Sequence, residues 1–407
     1  MAAQKPVKVL YASTLSCLDT SNGASISAMN TLALLAGAGF TCEAFCISKT
    51  LFPDEVDFDG ILKEGTLGVE AAESGSPPTM RLRSRGVPVS VVPTRSTIID
   101  RYFPGEVEGI IESYRSMIKS WAPDVLLACR ADPLDDIFMA LAKDRLVPVV
   151  VFVHSLNPMF TNLSTNHTAC VVQSEWLKRH CLERLGLHCR VLPNIVDWDR
   201  VRADGREGKY VTFVNPSHGK GVYVFARIAD ELGRRRPDIP LLVVEGRGTR
   251  ETVRSCGLDL DRSGNVHYMP HTPDPRKFWG ESKLCLIPSL APETGPLAAI
   301  EAMINGVPVI GSDRGGTPDT LGASGFVLPL PSGLTPQSRT PPSVDEVGPW
   351  LETMIRLWDD RRLFDERSAM ARHEAERWSP RRLVPLYQRF FEELLEGDAG
   401  LGGDAVC

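Results

Sequence analysis

Short apolar runs rich in β-branched residues alternate with segments of helical spacing along most of this 407-residue chain. The runs VKVLYA at 7–12 and VPVVVFV at 147–153 are almost wholly hydrophobic, as in parallel strands buried on both faces. Between such runs, apolar residues recur every three or four positions, as on one face of a helix. The alternation occurs before and after about residue 200, so the sequence predicts an α/β protein with two Rossmann-like doubly wound domains facing a cleft.

The composition is that of an ordinary globular protein, with 43% hydrophobic and 24% charged residues. A net charge of −6 gives no electrostatic basis for binding nucleic acid. No run approaches 18 apolar residues, so no membrane span is predicted, although peripheral membrane contact stays open. The first strand follows the N-terminus without a signal-peptide pattern, and the ten cysteines form no CxxC pair. We therefore expect a cytoplasmic protein without a disulfide framework.

The segment 289–316, SLAPETGPLAAIEAMINGVPVIGSDRGG, predicts a loop, a short helix, a buried strand and a glycine loop. Pro296 suits the first helical position, which places Gly295 near the N-cap. Glu293 then lies before the helix and Glu301 in its second turn. The helix N-terminus favours a diphosphate, whereas the flanking carboxylates favour sugar or ribose hydroxyls. The alternative is an ordinary αβ unit with surface glutamates.

The spacing of Glu293 and Glu301, followed by GVPVI at 306–310 and by Gly315–Gly316, resembles the signature of retaining glycosyltransferases of family 4. Those enzymes have the GT-B fold. In that family the first glutamate faces the donor sugar, the second faces the nucleotide ribose, and the backbone between them faces the diphosphate. The resemblance therefore implies further donor contacts at Thr294, Gly295, Pro296 and Leu297.

A second donor-binding segment is predicted after the strand at 210–214. Lys220 precedes a predicted helix and can supply a point charge to phosphate oxygens, although an exposed turn lysine is the alternative. The resembled family has an arginine several residues before this lysine, where this chain has Asn215. We expect either that Asn215 donates a neutral hydrogen bond or that Arg247, in the EGRGT segment, replaces the arginine.

The same resemblance implies roles for two residues in the first half of the chain. His154 comes directly after the run at 147–153, and the family has a histidine there that contacts the donor sugar or the reacting centre. Gly23 lies in the loop after the first strand, which in the family borders the diphosphate and the acceptor. The alternatives are a structural histidine and a simple turn glycine.

Arg130, Asp132 and Asp135 follow the predicted strand at 123–129. Ligands of open α/β sheets bind beyond the carboxyl ends of strands, so these side chains are predicted to contact the acceptor. The alternative is that they cap the helix that begins near Asp135, for which Asp132 is well suited.

The strand and helix patterns divide the chain, and residues 50–85, which have little periodicity, are interpreted as an irregular insertion or mobile segment near the acceptor side. The predicted parts are an acceptor-side domain at 1–200, a nucleotide-sugar donor domain at 201–378, a helix at 379–396 that returns to the first domain, and a disordered tail at 397–407.

These observations predict transfer of a hexose-type sugar from a nucleotide-diphosphate sugar, with UDP or GDP as the nucleotide, to an acceptor hydroxyl with retention of configuration. The acceptor is a glycan, a lipid-linked sugar or a small molecule. His154, Lys220 and Glu293 are the expected catalytic residues. No cofactor or metal is expected, because His267 and His271 lack a third ligand nearby. Two alternatives remain open, namely a nucleotide-sugar epimerase or hydrolase and a sugar-nucleotide-binding protein that has lost catalysis.

Overall fold

A computed structural model describes residues 5–52, 54–64, 79–156, 166–205 and 207–397. The chain forms two compact units, one comprising Met1–Ile195 with Pro380–Cys407 and the other Val196–Ser379. Each unit contains one sheet, and helices follow most of its strands along the chain, as the alternating pattern predicts.

The sheet of the first unit has the strand order β3-β4-β2-β1-β5-β6-β7-β8. All neighbouring strands are parallel except β3 and β4, which form an antiparallel pair at one edge. The strands are β1 (Lys8–Ser13), β2 (Thr41–Ile47), β3 (Met80–Ser84), β4 (Val87–Val92), β5 (Val125–Ala128), β6 (Val149–Phe152), β7 (Ala169–Val172) and β8 (Arg190–Val191).

The helices of the first unit are α1 (Gly23–Gly37), α2 (Phe58–Glu64), α3 (Glu106–Trp121), α4 (Pro133–Lys143), α5 (Glu175–Leu185) and, after the second unit, α14 (Pro380–Glu396). Helix α14 is fixed to this unit by Tyr387, whose hydroxyl donates to the Pro193 carbonyl at 3.0 Å. Its Phe391 ring also packs against Phe40 at a centroid distance of 5.5 Å. The predicted return of the last helix to the first domain is therefore found.

The sheet of the second unit has the order β11-β10-β9-β12-β13-β14, with every neighbouring pair parallel. Its strands are β9 (Tyr210–Val214), β10 (Leu241–Val244), β11 (Val266–Met269), β12 (Ser282–Ile287), β13 (Val309–Ser312) and β14 (Phe326–Leu328). Counted from β9, this is the Rossmann order 3-2-1-4-5-6, which reverses between β9 and β12.

The helices of the second unit are α6 (Trp198–Val201), α7 (Val222–Arg235), α8 (Arg250–Arg254), α9 (Arg276–Trp279), α10 (Leu297–Ile304), α11 (Thr317–Leu321), α12 (Val344–Asp359) and α13 (Arg361–Ala375), followed by a 3-10 turn at Glu376–Trp378. Their apolar faces cover the sheet. Trp350 of α12 is fully buried, and Phe213 of β9 stacks on Phe225 of α7 at 4.7 Å.

Three features differ from the sequence prediction. Residues 50–85 contain α2 and the edge strand β3, so the irregular assignment was wrong where the structure describes them; residues 65–78 lie outside the described part. Helix α10 begins at Leu297 with Pro296 as its cap, because the ψ of 107° at Pro296 is extended rather than helical. The segment DWDRVRADGREG at 197–208, whose charges and glycines predict a linker between the domains, contains α6. The predicted disordered tail lies almost entirely outside the described residues.

None of the helices in the described residues combines the length and the apolar character that crossing a membrane requires.

Candidate active site

The loops that follow β9 and β12 leave the second sheet where its strand order reverses. In open α/β sheets this point forms a crevice outside the carboxyl ends of the strands, where ligands bind. The β9 loop carries Lys220 and the β12 loop carries Glu293. Two residues 73 positions apart are therefore brought to the same edge by the topology.

Lys220 and Glu293 form a direct ion pair. The Lys220 Nζ donates to both carboxylate oxygens of Glu293, at 2.7 and 2.9 Å. The Ser289 hydroxyl donates to Oε1 of the same carboxylate at 2.5 Å. The Glu293 side chain is 12% exposed and that of Lys220 35% exposed, so the pair is held at the surface of the crevice and remains accessible.

The backbone of the two loops fixes this geometry. The Gly219 carbonyl accepts hydrogen bonds from the amides of Leu290 and Ala291, both at 2.9 Å. Gly221 has a φ of +83°, and a Cβ at that position would lie 1.9 Å from the Pro288 carbonyl oxygen. Only glycine allows this approach, so Gly221 is required to seat the preceding lysine beside the β12 loop.

The other side of Glu293 is tied to the glycine loop after β13. Glu293 and Gly315 form an isolated parallel bridge, and the Gly316 amide donates to the Glu293 carbonyl at 2.6 Å. Gly315 has a φ of +65°, and a Cβ there would lie 2.4 Å from the Glu293 carbonyl oxygen. The backbone of Glu293 is thus held between two glycine loops.

Helices α7 and α10 both begin beside this ion pair. Within the described residues, neither has a side-chain hydrogen bond capping its N-terminus. A side chain caps α1, α4, α5, α12 and α13, whereas α3, α9 and α11 also begin without a side-chain cap. Uncapped N-termini present backbone N–H groups and the positive end of the helix dipole, which favours an anion. Thr294 and Gly295, predicted as donor contacts, lie half-buried in the loop that leads into α10, and Leu297 is its first residue.

Glu301 lies in the second turn of α10, as predicted. Its Oε2 accepts a hydrogen bond from Nε1 of Trp279 at 3.0 Å, and Trp279 is fully buried. The indole holds the carboxylate in one orientation, because a fully buried ring has little freedom to move. Sequence reasoning missed Trp279, since its only signal was an aromatic residue in a short helix 22 positions away.

Asn215 explains why no arginine occupies the end of β9. Its φ of +58° is in the left-handed region, which asparagine tolerates better than arginine. Its Oδ1 accepts from the Gly248 amide at 2.9 Å, and a Cβ on Gly248 would lie 2.4 Å from the Pro216 carbonyl carbon. Asn215 therefore holds the loop containing Arg247, whose side chain is exposed, next to the carboxyl end of β9.

In the first unit, Asp135 joins the loops that follow β1 and β5. Its oxygens accept from the Thr14 amide at 2.7 Å, the Thr14 hydroxyl at 2.8 Å, the Ala131 amide at 2.7 Å and the Asp132 amide at 3.0 Å. Asp135 is almost completely buried. Burial raises the pKa of Asp135 to about 7 although these donors oppose the shift.

The three residues predicted to contact the acceptor each have a partner within the first unit. Asp132 is the N-cap of α4 and forms a capping box with Asp135. Arg130 pairs with Asp136 at 3.0 Å and is about one-tenth exposed. The alternative that these residues cap α4 is therefore correct for both aspartates, because the four donors around Asp135 occupy its oxygens.

Replacement of Asp135 by asparagine should lower the free energy of unfolding by about 2 kcal/mol at pH 5, because its amide group would face N–H donors. The folded-state pKa is raised, so the wild-type contribution is complete below pH 4 and is lost as the pH rises through 7. The difference in free energy of unfolding between wild type and Asp135→Asn should therefore decrease as the pH rises from 4 to 7, as measured by urea unfolding. The exposed Asp144→Asn is the matched control, with a change below about 0.5 kcal/mol. Equal stability of Asp135→Asn and wild type at every pH would contradict this role.

His154 and Gly23 occupy the carboxyl edge of the first sheet. His154 follows β6, is half-buried and stacks on Phe152 at 5.9 Å. Desolvation lowers the pKa of His154 to about 4, so its imidazole is neutral at pH 7. Gly23 is exposed at the first position of α1, after the N-cap Asn22.

Across the described residues, no group of three or more histidine, cysteine, aspartate or glutamate side chains is arranged to hold a metal ion.

Solved structures decide the architecture. Sucrose-phosphate synthase of Thermosynechococcus elongatus superimposes with a TM-score of 0.68 at 14% identity, covering 96% of this chain and 100% of that one. The fold is GT-B. HepE of Anabaena, in complex with UDP and glucose, gives 0.64 at 16% identity, again with 96% and 100% coverage. The pneumococcal O-GlcNAc transferase GtfA, in complex with UDP and GlcNAc, gives 0.68 at 12% identity with the same coverage. The predicted fold class is confirmed.

Residues 208–335 match the family model described as glycosyl transferases group 1. The match spans less than a third of the chain and contains Lys220, Glu293 and Glu301. No curated protein matches this chain in sequence.

Proposed function

We propose that this chain is a retaining glycosyltransferase that moves a hexose from a nucleotide-diphosphate sugar to an acceptor hydroxyl. The observation that carries the proposal is the Lys220–Glu293 pair, set at a topological switch point beside two uncapped helix N-termini. The family match over this segment and the GT-B fold support it. The complexes of HepE and GtfA with UDP and a sugar favour a UDP-hexose donor.

In this proposal the diphosphate binds at the N-termini of α7 and α10. Lys220 donates to a phosphate oxygen while keeping its contact with Glu293, because an ammonium group has three donors. Glu293 accepts hydrogen bonds from donor sugar hydroxyls, and Glu301, oriented by Trp279, accepts from the ribose. Arg247 reaches the diphosphate from the loop held by Asn215.

The reaction breaks the bond between the anomeric carbon and the diphosphate oxygen. Negative charge develops on the leaving diphosphate, where Lys220 and the helix N-termini stabilise it. The acceptor hydroxyl attacks the same face of the sugar and passes its proton to the leaving phosphate, so the anomeric configuration is retained. His154 is neutral at pH 7 and serves as a hydrogen-bonding group to a sugar hydroxyl. No metal takes part in these steps.

An epimerase or hydrolase would need a carboxylate of the first unit for acid–base chemistry on the sugar. Asp132 and Asp135 were the candidates from the sequence. Both are engaged in the α4 capping box, and Asp135 also accepts from Thr14. These contacts favour a transferase over an epimerase or hydrolase.

A thermal-shift panel of UDP, GDP, ADP and dTDP and their glucose derivatives tests the proposal. One nucleotide sugar should stabilise the protein, by about 2.7 kcal/mol at a hundred times its Kd. Proton NMR of the product formed with that donor and a set of glycoside acceptors should show the donor's anomeric configuration. Stabilisation by none of the nucleotides, or an inverted product, would contradict the proposal.

A further inference from the structure

Gln173 is a buried side chain without a hydrogen-bond partner. It follows β7 directly and is 7% exposed. Both its Oε1 and its Nε2 are buried, and neither has a hydrogen-bond partner among the residues that the structure describes. A buried carboxamide without partners is costly, whereas a leucine or methionine would fill similar space without this penalty. The position therefore uses a polar group for a purpose other than packing.

The location of Gln173 is the carboxyl edge of the first sheet. Phe152 of β6 is paired with Val171 of β7, so His154 and Gln173, each two residues further along, occupy corresponding positions. Val172 lies between Val171 and Gln173 in the sequence. It belongs to the apolar cluster on the other face of the sheet, with Leu177 and Cys181. Side chains alternate along a strand, so Gln173 continues the face of Val171 and His154 that of Phe152.

The same edge of the sheet contains two further side chains, Asp19 and Asn22, that have a buried polar atom without a partner among the described residues. In the part of the chain that the structure describes, buried carboxylate or carboxamide atoms without a partner occur at Asp19 Oδ2, Asn22 Nδ2 and the two atoms of Gln173. Asp19 and Asn22 lie in the loop after β1, so all four atoms follow the carboxyl ends of parallel strands of one sheet. Donors and acceptors occur together there, which matches a ligand that both donates and accepts.

We propose that Gln173 binds a sugar hydroxyl of a bound substrate and helps to determine which sugar is used. A hydroxyl both donates and accepts, as a carboxamide does, and the neutral amide has no preference for a phosphate. The inference rests on the proposed transfer of a sugar and adds a contact in the first unit. The hydroxyl that Gln173 binds belongs either to the transferred sugar or to a sugar acceptor.

The test compares Gln173→Met with Tyr114→Phe. Tyr114 is a matched control because its hydroxyl is also buried without a partner, but it lies between Phe45 and Phe138 in the apolar core. Both variants remove a buried polar group, so both should keep or raise the Tm of the ligand-free protein, by up to about 2 °C. Only Gln173→Met should weaken the binding of a substrate, which would raise the KM for that substrate about tenfold.

Two kinetic measurements separate the sources of the hydroxyl. Nucleotide release from UDP-, GDP-, ADP- and dTDP-glucose without acceptor reports on the transferred sugar. The added rate with octyl glucoside or p-nitrophenyl glycosides reports on the acceptor. A tenfold change in either KM, with Tyr114→Phe unchanged, supports the proposal and names the source.

A lower Tm for Gln173→Met, or unchanged KM values in both measurements, would overturn the proposal. Either result would indicate that the Gln173 carboxamide contributes only to the fold. Failure of the wild type to release or transfer sugar from any donor would instead contradict the proposed function. In that case the Tm comparison, which needs no ligand, still tests the premise of the inference, and a lower Tm for Gln173→Met would overturn it.

Discussion

Replacement of Lys220 by methionine should lower kcat/KM for sugar transfer by two to three orders of magnitude, or about 2.7–4 kcal/mol of transition-state stabilisation. The structure places the ammonium group of Lys220 both on Glu293 and beside two uncapped helix N-termini. Methionine keeps the length and apolar part of the side chain and removes that charge. The measurement is the initial rate of nucleotide release with the donor selected by the thermal-shift panel.

The exposed Lys277→Met in α9 is the control for the loss of one positive charge from the same unit. It should keep wild-type kcat/KM. The Tm of Lys220→Met should stay within a few degrees of wild type, because Ser289 still donates to Glu293. A folded Lys220→Met protein with an unchanged kcat/KM would remove the lysine from the mechanism.

Gly221→Ala is expected to damage both stability and activity. The residue has a φ of +83°, and the new Cβ would be 1.9 Å from the backbone carbonyl of Pro288. An L-residue in this conformation costs about 1–3 kcal/mol, and the clash must also push the β9 and β12 loops apart. Since that movement separates Lys220 from Glu293, kcat/KM should fall about as far as in Lys220→Met.

Gly219→Ala is a matched control two residues earlier in the same loop. A Cβ at Gly219 would meet the Ala291 Cβ at 3.4 Å, which is an ordinary contact, and its φ is not positive. Urea unfolding should therefore place Gly219→Ala near wild type and Gly221→Ala at least about 2 kcal/mol below it. Equal losses in both variants would mean that the loop resists any side chain, whatever its backbone conformation.

Much of the fold could be predicted because its strands are short, buried on both faces and rich in valine, leucine and isoleucine. The run at 147–153 contains β6, and the predicted strand at 210–214 has the bounds of β9; the apolar runs VPVSVV at 87–92 and ACVV at 169–172 likewise coincide with β4 and β7. The strand β3 was missed because MRLRS alternates charged residues at an antiparallel edge and lacks an apolar run. Local patterning therefore identifies central strands better than edge strands.

The candidate site was predictable only in part. The motif around Glu293 and Glu301 identified the residues of the β12 loop, but the direct contact with Lys220 depends on the strand order of the sheet. Asp135 illustrates the same limit, because its bonds to Thr14 span 121 positions and local spacing shows only the helix cap. Side chains whose partners are brought together by topology cannot be assigned from neighbouring residues alone.

The attachment of Glu293 to two glycine loops bears on attempts to redesign donor preference by exchanging segments with other GT-B proteins. The contacts of 288–293 involve Gly219 and Gly221 on one side and Gly315 and Gly316 on the other. A graft of the 289–304 segment alone would place a foreign loop against unmatched glycines. The segments 219–221, 288–293 and 315–316 therefore form one transferable module, and a chimera should take all three from the same parent.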